Sequence, residues 1–103
     1  MTDTRVAAVA TRQIDNERVI VTEWRFAPGA QTGWHRHGHD YVVCPLTNGT
    51  LLLETPEGNV EAVLKAGVSY FRNEGVEHNV INAGDDELVF VEIELKNGSA
   101  ARV

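Results

Sequence analysis

Short runs of β-branched and aromatic residues, cut at regular intervals by Gly, Asn and Asp, fill this chain and leave no stretch with helical periodicity. Such punctuation predicts an all-β sandwich or barrel. Strands are expected over 6–11, 18–26, 32–37, 41–46, 50–55, 60–65, 68–72, 78–82 and 88–95. Asn48-Gly49 and the segment Pro56-Glu57-Gly58-Asn59 read as hairpin turns, and Asp15-Asn16, Pro28-Gly29 and Glu74-Gly75 as further breaks. Alternation puts Ile20, Thr22, Trp24 and Phe26 on one face of their strand, with Val19, Val21, Glu23 and Arg25 on the other. In the last strand Val89, Val91, Ile93 and Leu95 make an apolar face. Residues 97–103 read as a loose tail.

The chain has 103 residues, enough for one domain and one core. A domain of this size buries only roughly 60–70% of its unfolded surface, so a homodimer is expected, with the strand over 6–11 pairing against a neighbour's sheet edge. A net charge of -6 argues against nucleic acid or an anionic membrane as partner, because both need clustered Lys and Arg. Cys44 is the only cysteine, so no intrachain disulfide forms. The N-terminal residues lack the apolar run of a signal peptide, and no stretch reaches transmembrane length. The expected setting is the reducing cytoplasm.

Chemistry concentrates in the histidines. His35 and His37 stand two apart, so within a strand both rings point to one face. His78, from a distant strand, would complete a facial set of three imidazoles on one metal ion with positions left open for a small-molecule ligand. His39, the fourth histidine, reads as a surface residue.

These residues sit in a larger pattern that resembles the cupin superfamily. The first cupin motif runs Gly, five residues, His-x-His, three or four residues, Glu, six residues, Gly; Gly29, His35, His37 and Gly49 fall in place. The second runs Gly, five residues, Pro-x-Gly, two residues, His, three residues, Asn; Gly67, Gly75, His78 and Asn82 fit. The resemblance implies a double-stranded β-helix, or jelly-roll barrel, spanning the whole chain as a single domain, with His35, His37 and His78 as metal ligands. Among cupins, residues 33–47 and 77–82 are similar to the small stand-alone bacterial proteins labelled for β-alanine degradation, which implies amino-acid catabolism but no defined reaction.

Two positions depart from the motifs. Asn73 replaces the proline, and the acidic ligand is missing: three intervening residues put Tyr41 in its place, four put Val42. Only the second keeps the step to Gly49, so Val42 is the preferred assignment, which turns Cys44 and Leu46 inward as well. The resulting centre has three neutral imidazoles and no carboxylate. It suits Fe(II), Ni(II), Zn(II) or Mn(II), and leaves more positive charge on the ion than a two-His, one-carboxylate site. Asp40 or His39 is the candidate for a fourth ligand. A barrel that has lost its metal is the competing reading.

Comparison with cupins also turns Tyr70 and Arg72 inward. Arg72 then clamps a substrate carboxylate bidentately or pairs with Glu23, Glu92 or Glu94. Tyr70 or Tyr41 would donate a hydrogen bond or proton, and Cys44 is either a thiol near the metal or a small buried residue. Trp24, Trp34 and Phe90 read as core or dimer interface. Glu77 and Asn79 read as solvated. The function expected is a metal-dependent dioxygenase-type enzyme acting on a small organic acid or chelating metabolite. Its rivals are a metabolite-binding or sensory barrel without turnover, and an isomerase or epimerase, for which His78 and Asp40 are the only His–acid pair in view.

Overall fold

The computed structural model describes residues 5–96; the tail expected over 97–103 lies outside them. Nine strands and no helix form among the described residues: β1 (Val9–Asp15), β2 (Val19–Phe26), β3 (His35–Arg36), β4 (Asp40–Pro45), β5 (Gly49–Thr55), β6 (Gly58–Leu64), β7 (Tyr70–Arg72), β8 (Glu77–Asn82) and β9 (Leu88–Leu95). They pair antiparallel into a five-stranded sheet, order β1-β2-β9-β4-β7, and a four-stranded sheet, order β3-β8-β5-β6. No helix is long and apolar enough to cross a membrane.

The core lies between the sheets. Phe26, Tyr41, Val43, Leu88 and Phe90 come from one side, and Leu51, Leu64 and Val80 from the other. The motif residues that carry no chemistry lock this packing. The Gly29 N–H donates to the Asn82 carbonyl at 3.0 Å, and the Asn82 N–H donates to that of Ala30 at 2.9 Å, so the start of one motif and the end of the other are tied together. The Asn82 amide is fully buried, donating to the carbonyls of Phe26 and Asp86 and accepting from the Gly84 N–H. Gly49 is required by space: a Cβ there would sit 2.6 Å from the Leu88 side chain.

Three strand limits differ from expectation for identifiable reasons. β1 starts later than residue 6 and runs to Asp15, passing a bulge between Arg12 and Ile14; the turn then closes on Asn16, whose side chain accepts from the N–H groups of Arg18 and Val19. β3 shrinks to two residues because Gly33, at φ 91°, breaks the extended run. β7 begins at Tyr70, after a turn through Gly67 at φ 83°.

The face assignment of β4 is the reverse of the expected one. On β4, Tyr41, Val43 and Pro45 are buried, while Val42 and Cys44 stand on the opposite face and Leu46, just past the strand, is exposed. On β9, Leu88, Phe90 and Glu92 line the interior, and Val91, Ile93 and Leu95 stand on the opposite face together with Val89, which is itself buried. The outside of the five-stranded sheet is therefore more apolar at its middle than parts of the inside.

Candidate metal centre and its cavity

His35 on β3 faces His78 on β8 directly across the strand register. His37 lies just past β3, where the backbone is held by two bonds to the second-motif loop: its N–H donates to the Val76 carbonyl and its carbonyl accepts from the Gly75 N–H, both at 2.8 Å. Gly75 takes φ 92° to make that approach, a conformation other residues rarely adopt. The three rings converge. His35 Nε2 and His37 Nε2 are 3.0 Å apart, and His37 Nε2 and His78 Nε2 are 3.1 Å apart.

These separations test whether a metal ion fits. Nitrogens about 2.1 Å from an ion and at right angles to one another lie about 3.0 Å apart, whereas a tetrahedral arrangement spreads them to about 3.4 Å. Both separations from His37 Nε2 thus match adjacent corners of an octahedron. The tautomer of His35 also suits a ligand. Its Nδ1 lies 2.9 Å from the Gly33 carbonyl, which only accepts, so the proton sits on Nδ1 and Nε2 offers a bare lone pair. Burial, followed by the proximity of His35 and His78, pushes the His37 pKa down to about 3. Burial, then His35 and Arg72, pushes that of His78 down to about 4. Lone pairs crowded this closely repel unless a proton or a cation sits among them. His35, His37 and His78 could hold such an ion.

The centre opens onto a cavity of about 420 Å³, counting its open mouth. From the four-stranded sheet His35, His78, Leu51, Leu53 and Val80 line it; from the five-stranded sheet come Trp24, Tyr41, Val43, Tyr70, Arg72, Phe90 and Glu92. Tyr41 stands where the motif acid would be under the three-residue spacing, and its ring stacks on His37 with centroids 3.9 Å apart. The preference for Val42 is therefore corrected: strand parity, set by pairing with β7 and β9, brings Tyr41 inward. The same parity removes Cys44 from the cavity wall. Tyr70 and Arg72 face in as expected, and the Arg72 guanidinium lies 4.6 Å from the Tyr70 ring centroid. Arg72 forms no ion pair with Glu23, Glu92 or Glu94; Glu23 is engaged by Arg25 instead. Burial pushes the hydroxyls of Tyr41 and Tyr70 up, so both remain protonated donors.

The proposed fourth ligands are otherwise placed. Asp40 accepts the Glu74 N–H at 2.8 Å, which ties its carboxylate to a turn, and His39 joins no ligand cluster among the described residues. Asp40 also joins no ligand cluster with His78 among the described residues. The carboxylates near the centre come instead from β9. Glu92 and Glu94 group with His37, and Glu94 lies 4.0 Å from His37 Nδ1, the nitrogen turned away from the trio. Burial, then the charge of Glu94, raises the Glu92 pKa to about 7, with the Trp24 indole opposing the shift. The signal for both was the alternation of residues 88–95, where Glu92 and Glu94 share parity with Leu88 and Phe90. Asn79 is buried rather than solvated; it donates to Gln31 and Glu54 and accepts from the Gly33 N–H, fixing the bend before His35. Trp34 is exposed and donates to Glu77.

Comparison with known proteins supports the architecture. The cupin domain model matches residues 22–94. The chain is 72% identical over 92 residues to a Pseudomonas aeruginosa protein named beta-alanine degradation protein BauB, covering 89% of this chain and 97% of that one. The crystal structure of a cupin domain from Bordetella pertussis Tohama I superposes with a TM-score of 0.89 at 67% identity, covering 92% of this chain and 99% of that one. A cupin of the RmlC-like family from Methanocaldococcus jannaschii, described as a double-stranded β-helix, shares the fold at a TM-score of 0.74 and 14% identity over 100% of this chain and 93% of that one. With the family model matched from β2 to β9 and both histidine motifs brought onto one cavity, this chain belongs to the cupin family.

Proposed function

We propose that the protein is a metal-dependent cupin enzyme acting on a small organic acid in the cytoplasm, with O2 as co-substrate. One observation carries the reading: His37 Nε2 stands 3.0 Å from His35 Nε2 and 3.1 Å from His78 Nε2, with two separated segments supplying the rings and His35 and His78 lining a cavity. His35, His37 and His78 would hold a divalent ion, Fe(II), Mn(II), Ni(II) or Zn(II). Such an ion, once bound, supplies Lewis-acid polarisation of a chelating substrate and, if redox-active, a route to O2. The chain's own contribution is orientation and charge. Arg72, with no acidic partner among the described residues, would take the substrate carboxylate, assisted by the Tyr70 hydroxyl. Tyr41 would hold His37 in plane and donate a hydrogen bond. Val43, Leu51, Leu53, Val80 and Phe90 would keep bulk water from the reacting end. The name of the Pseudomonas aeruginosa relative supports a substrate of the size of a three-carbon amino acid.

The test is direct. Protein reconstituted separately with each of the four ions should retain about one ion per chain, and His35→Ala or His78→Ala should retain none. The iron form should consume O2 in the presence of a matching small acid. Wild-type protein that holds no stoichiometric metal would remove the reading. The replacement of the motif acid by Tyr41 favours a second reading, a metabolite-binding barrel without turnover. It predicts tight capture of the acid and unchanged ligand on mass spectrometry.

A further inference from the structure

A neutral imidazole carries one ring proton, so a ring that offers Nε2 to an ion must keep that proton on Nδ1. For His35 the backbone meets the need, since the Gly33 carbonyl lies 2.9 Å from its Nδ1. His37 has no such acceptor. Its Nδ1 makes no hydrogen bond among the described residues, and at 6% exposure the residue is largely closed to water. What faces that nitrogen is Glu94, with Oε2 at 4.0 Å. Strand register puts it there. Tyr41 of β4 is paired with Glu94 of β9, and the Tyr41 ring stacks on His37, so the carboxylate beside Tyr41 reaches the edge of the same imidazole. Glu92, the other carboxylate grouped with His37, is engaged by the Trp24 indole instead.

We propose that Glu94 is a positioning residue of the metal centre: its carboxylate receives the His37 Nδ1–H, holds that ring in the ligating tautomer, and returns from behind the ring the negative charge that the motif lost at Tyr41. The assignment rests on the functional reading above. Without an ion, the trio pulls the proton the other way. His35 Nε2 is a bare acceptor 3.0 Å from His37 Nε2, which favours the His37 proton on Nε2. A charged acceptor on the far side offsets that pull. The pair is about 1 Å too long for a hydrogen bond as it stands, and a turn of the Glu94 carboxylate closes it once the proton is confined to Nδ1. A carboxylate on the far nitrogen also makes the imidazole a stronger donor to the ion. A carboxylate bound directly would occupy a coordination position; Glu94 supplies its charge through His37 and leaves that position to the substrate.

The experiment uses Zn(II)-loaded protein with ¹⁵N-labelled histidine, the His37 ring being identified by its contact with the Tyr41 ring protons. Wild type should show His37 as the Nδ1–H tautomer, with that proton shifted downfield and slow to exchange with water. Glu94→Gln keeps the shape and an acceptor oxygen but removes the charge. It should move the Nδ1–H signal upfield and weaken Zn(II) binding about 10-fold in competition with a chelator, while the metal-free variant melts close to wild type. Glu92→Gln should leave the Nδ1–H signal in place. An unmoved signal in Glu94→Gln, unchanged Zn(II) affinity in that variant, a shift produced by Glu92→Gln instead, or a wild-type His37 proton that exchanges freely would each overturn the role of Glu94 and leave the metal centre standing. Wild-type protein that holds no Zn(II) would remove the centre itself, and the inference with it.

Discussion

The ring of Tyr41 lies flat on the ring of His37, 19° from parallel and with centroids 3.9 Å apart. The residue that replaces the motif carboxylate thus touches a candidate ligand through its face. Tyr41 is 2% exposed, so it also anchors the core. Tyr41→Phe keeps the stack and should change metal affinity and melting temperature little. Tyr41→Ala should cost about 3–5 kcal/mol, as for other buried aromatic truncations, and loosen His37. Paired calorimetry and metal titration separate the two: the Phe variant should follow wild type in both, and the Ala variant should fall in both.

Acid should weaken the metal-free protein through its histidines. The unfolded chain takes up protons near the ordinary value of 6.5, whereas folded His37 and His78 resist until about 3 and about 4. Between pH 6.5 and 4 the unfolded state therefore binds more protons, and stability drops as pH falls. A bound cation competes with protons for the same lone pairs, so proton competition at His37 and His78 should weaken metal binding by the folded protein only as pH falls to about 4 and below. Melting curves in EDTA from pH 7.5 to 4 should slope downward toward acid. Replacing His37 with Asn should flatten that slope, and an unchanged slope would argue that the rings are not held neutral by burial.

Glu92 works in the opposite direction. Its folded value of about 7 exceeds the ordinary 4.5, so the fold binds the extra proton. Its stabilising contribution is complete below pH 4.5 and is lost as pH rises through 7, where a charge must be kept in the cavity. Glu92→Gln should therefore raise stability at pH 8 by something on the order of 1–2 kcal/mol, several degrees in melting temperature for a domain of this size. Near pH 4 the gain should vanish. A variant equally stabilised at both pH values would show that packing, not charge, is responsible.

The strands and the histidine trio were legible in the sequence because both rest on short-range rules. Turn residues set the breaks, and the two-residue step of His35 and His37 places both rings together whatever the rest of the chain does. The face of β4 was not legible. Motif spacing admitted two registers, and preserving the step to Gly49 selected the wrong one; pairing of Tyr41 with Arg72 and Glu94 decides it, and those partners lie far along the chain. Glu92 was hidden by the same effect on β9. An apolar row of Val89, Val91, Ile93 and Leu95 looks like a core face, while the true interior row carries two carboxylates toward its end. Asn79 was misread because its burial comes from Gln31 and Glu54, neither of them close in sequence.

That apolar row has a use of its own. Val21, Val42, Val91 and Ile93 lie side by side on the outside of the five-stranded sheet, paired through the registers Val21–Ile93, Val42–Ile93 and Cys44–Val91. Ile14, Phe71 and Leu95 extend the patch and are 46%, 49% and 38% exposed. β1 is exposed along its whole length and leaves one edge open. With a net charge of -6, two copies would repel across most surfaces, but the row Val21, Ile93 and Val42 carries no charge and Glu23, beside Val91, is paired with Arg25, so a second copy is the expected occupant. The protein should sediment as a dimer at micromolar concentration. Ile93→Glu places a carboxylate at the centre of the face without touching the cavity, and it should yield a folded monomer that still binds metal. A wild-type monomer at that concentration would leave the face without a partner of its own kind.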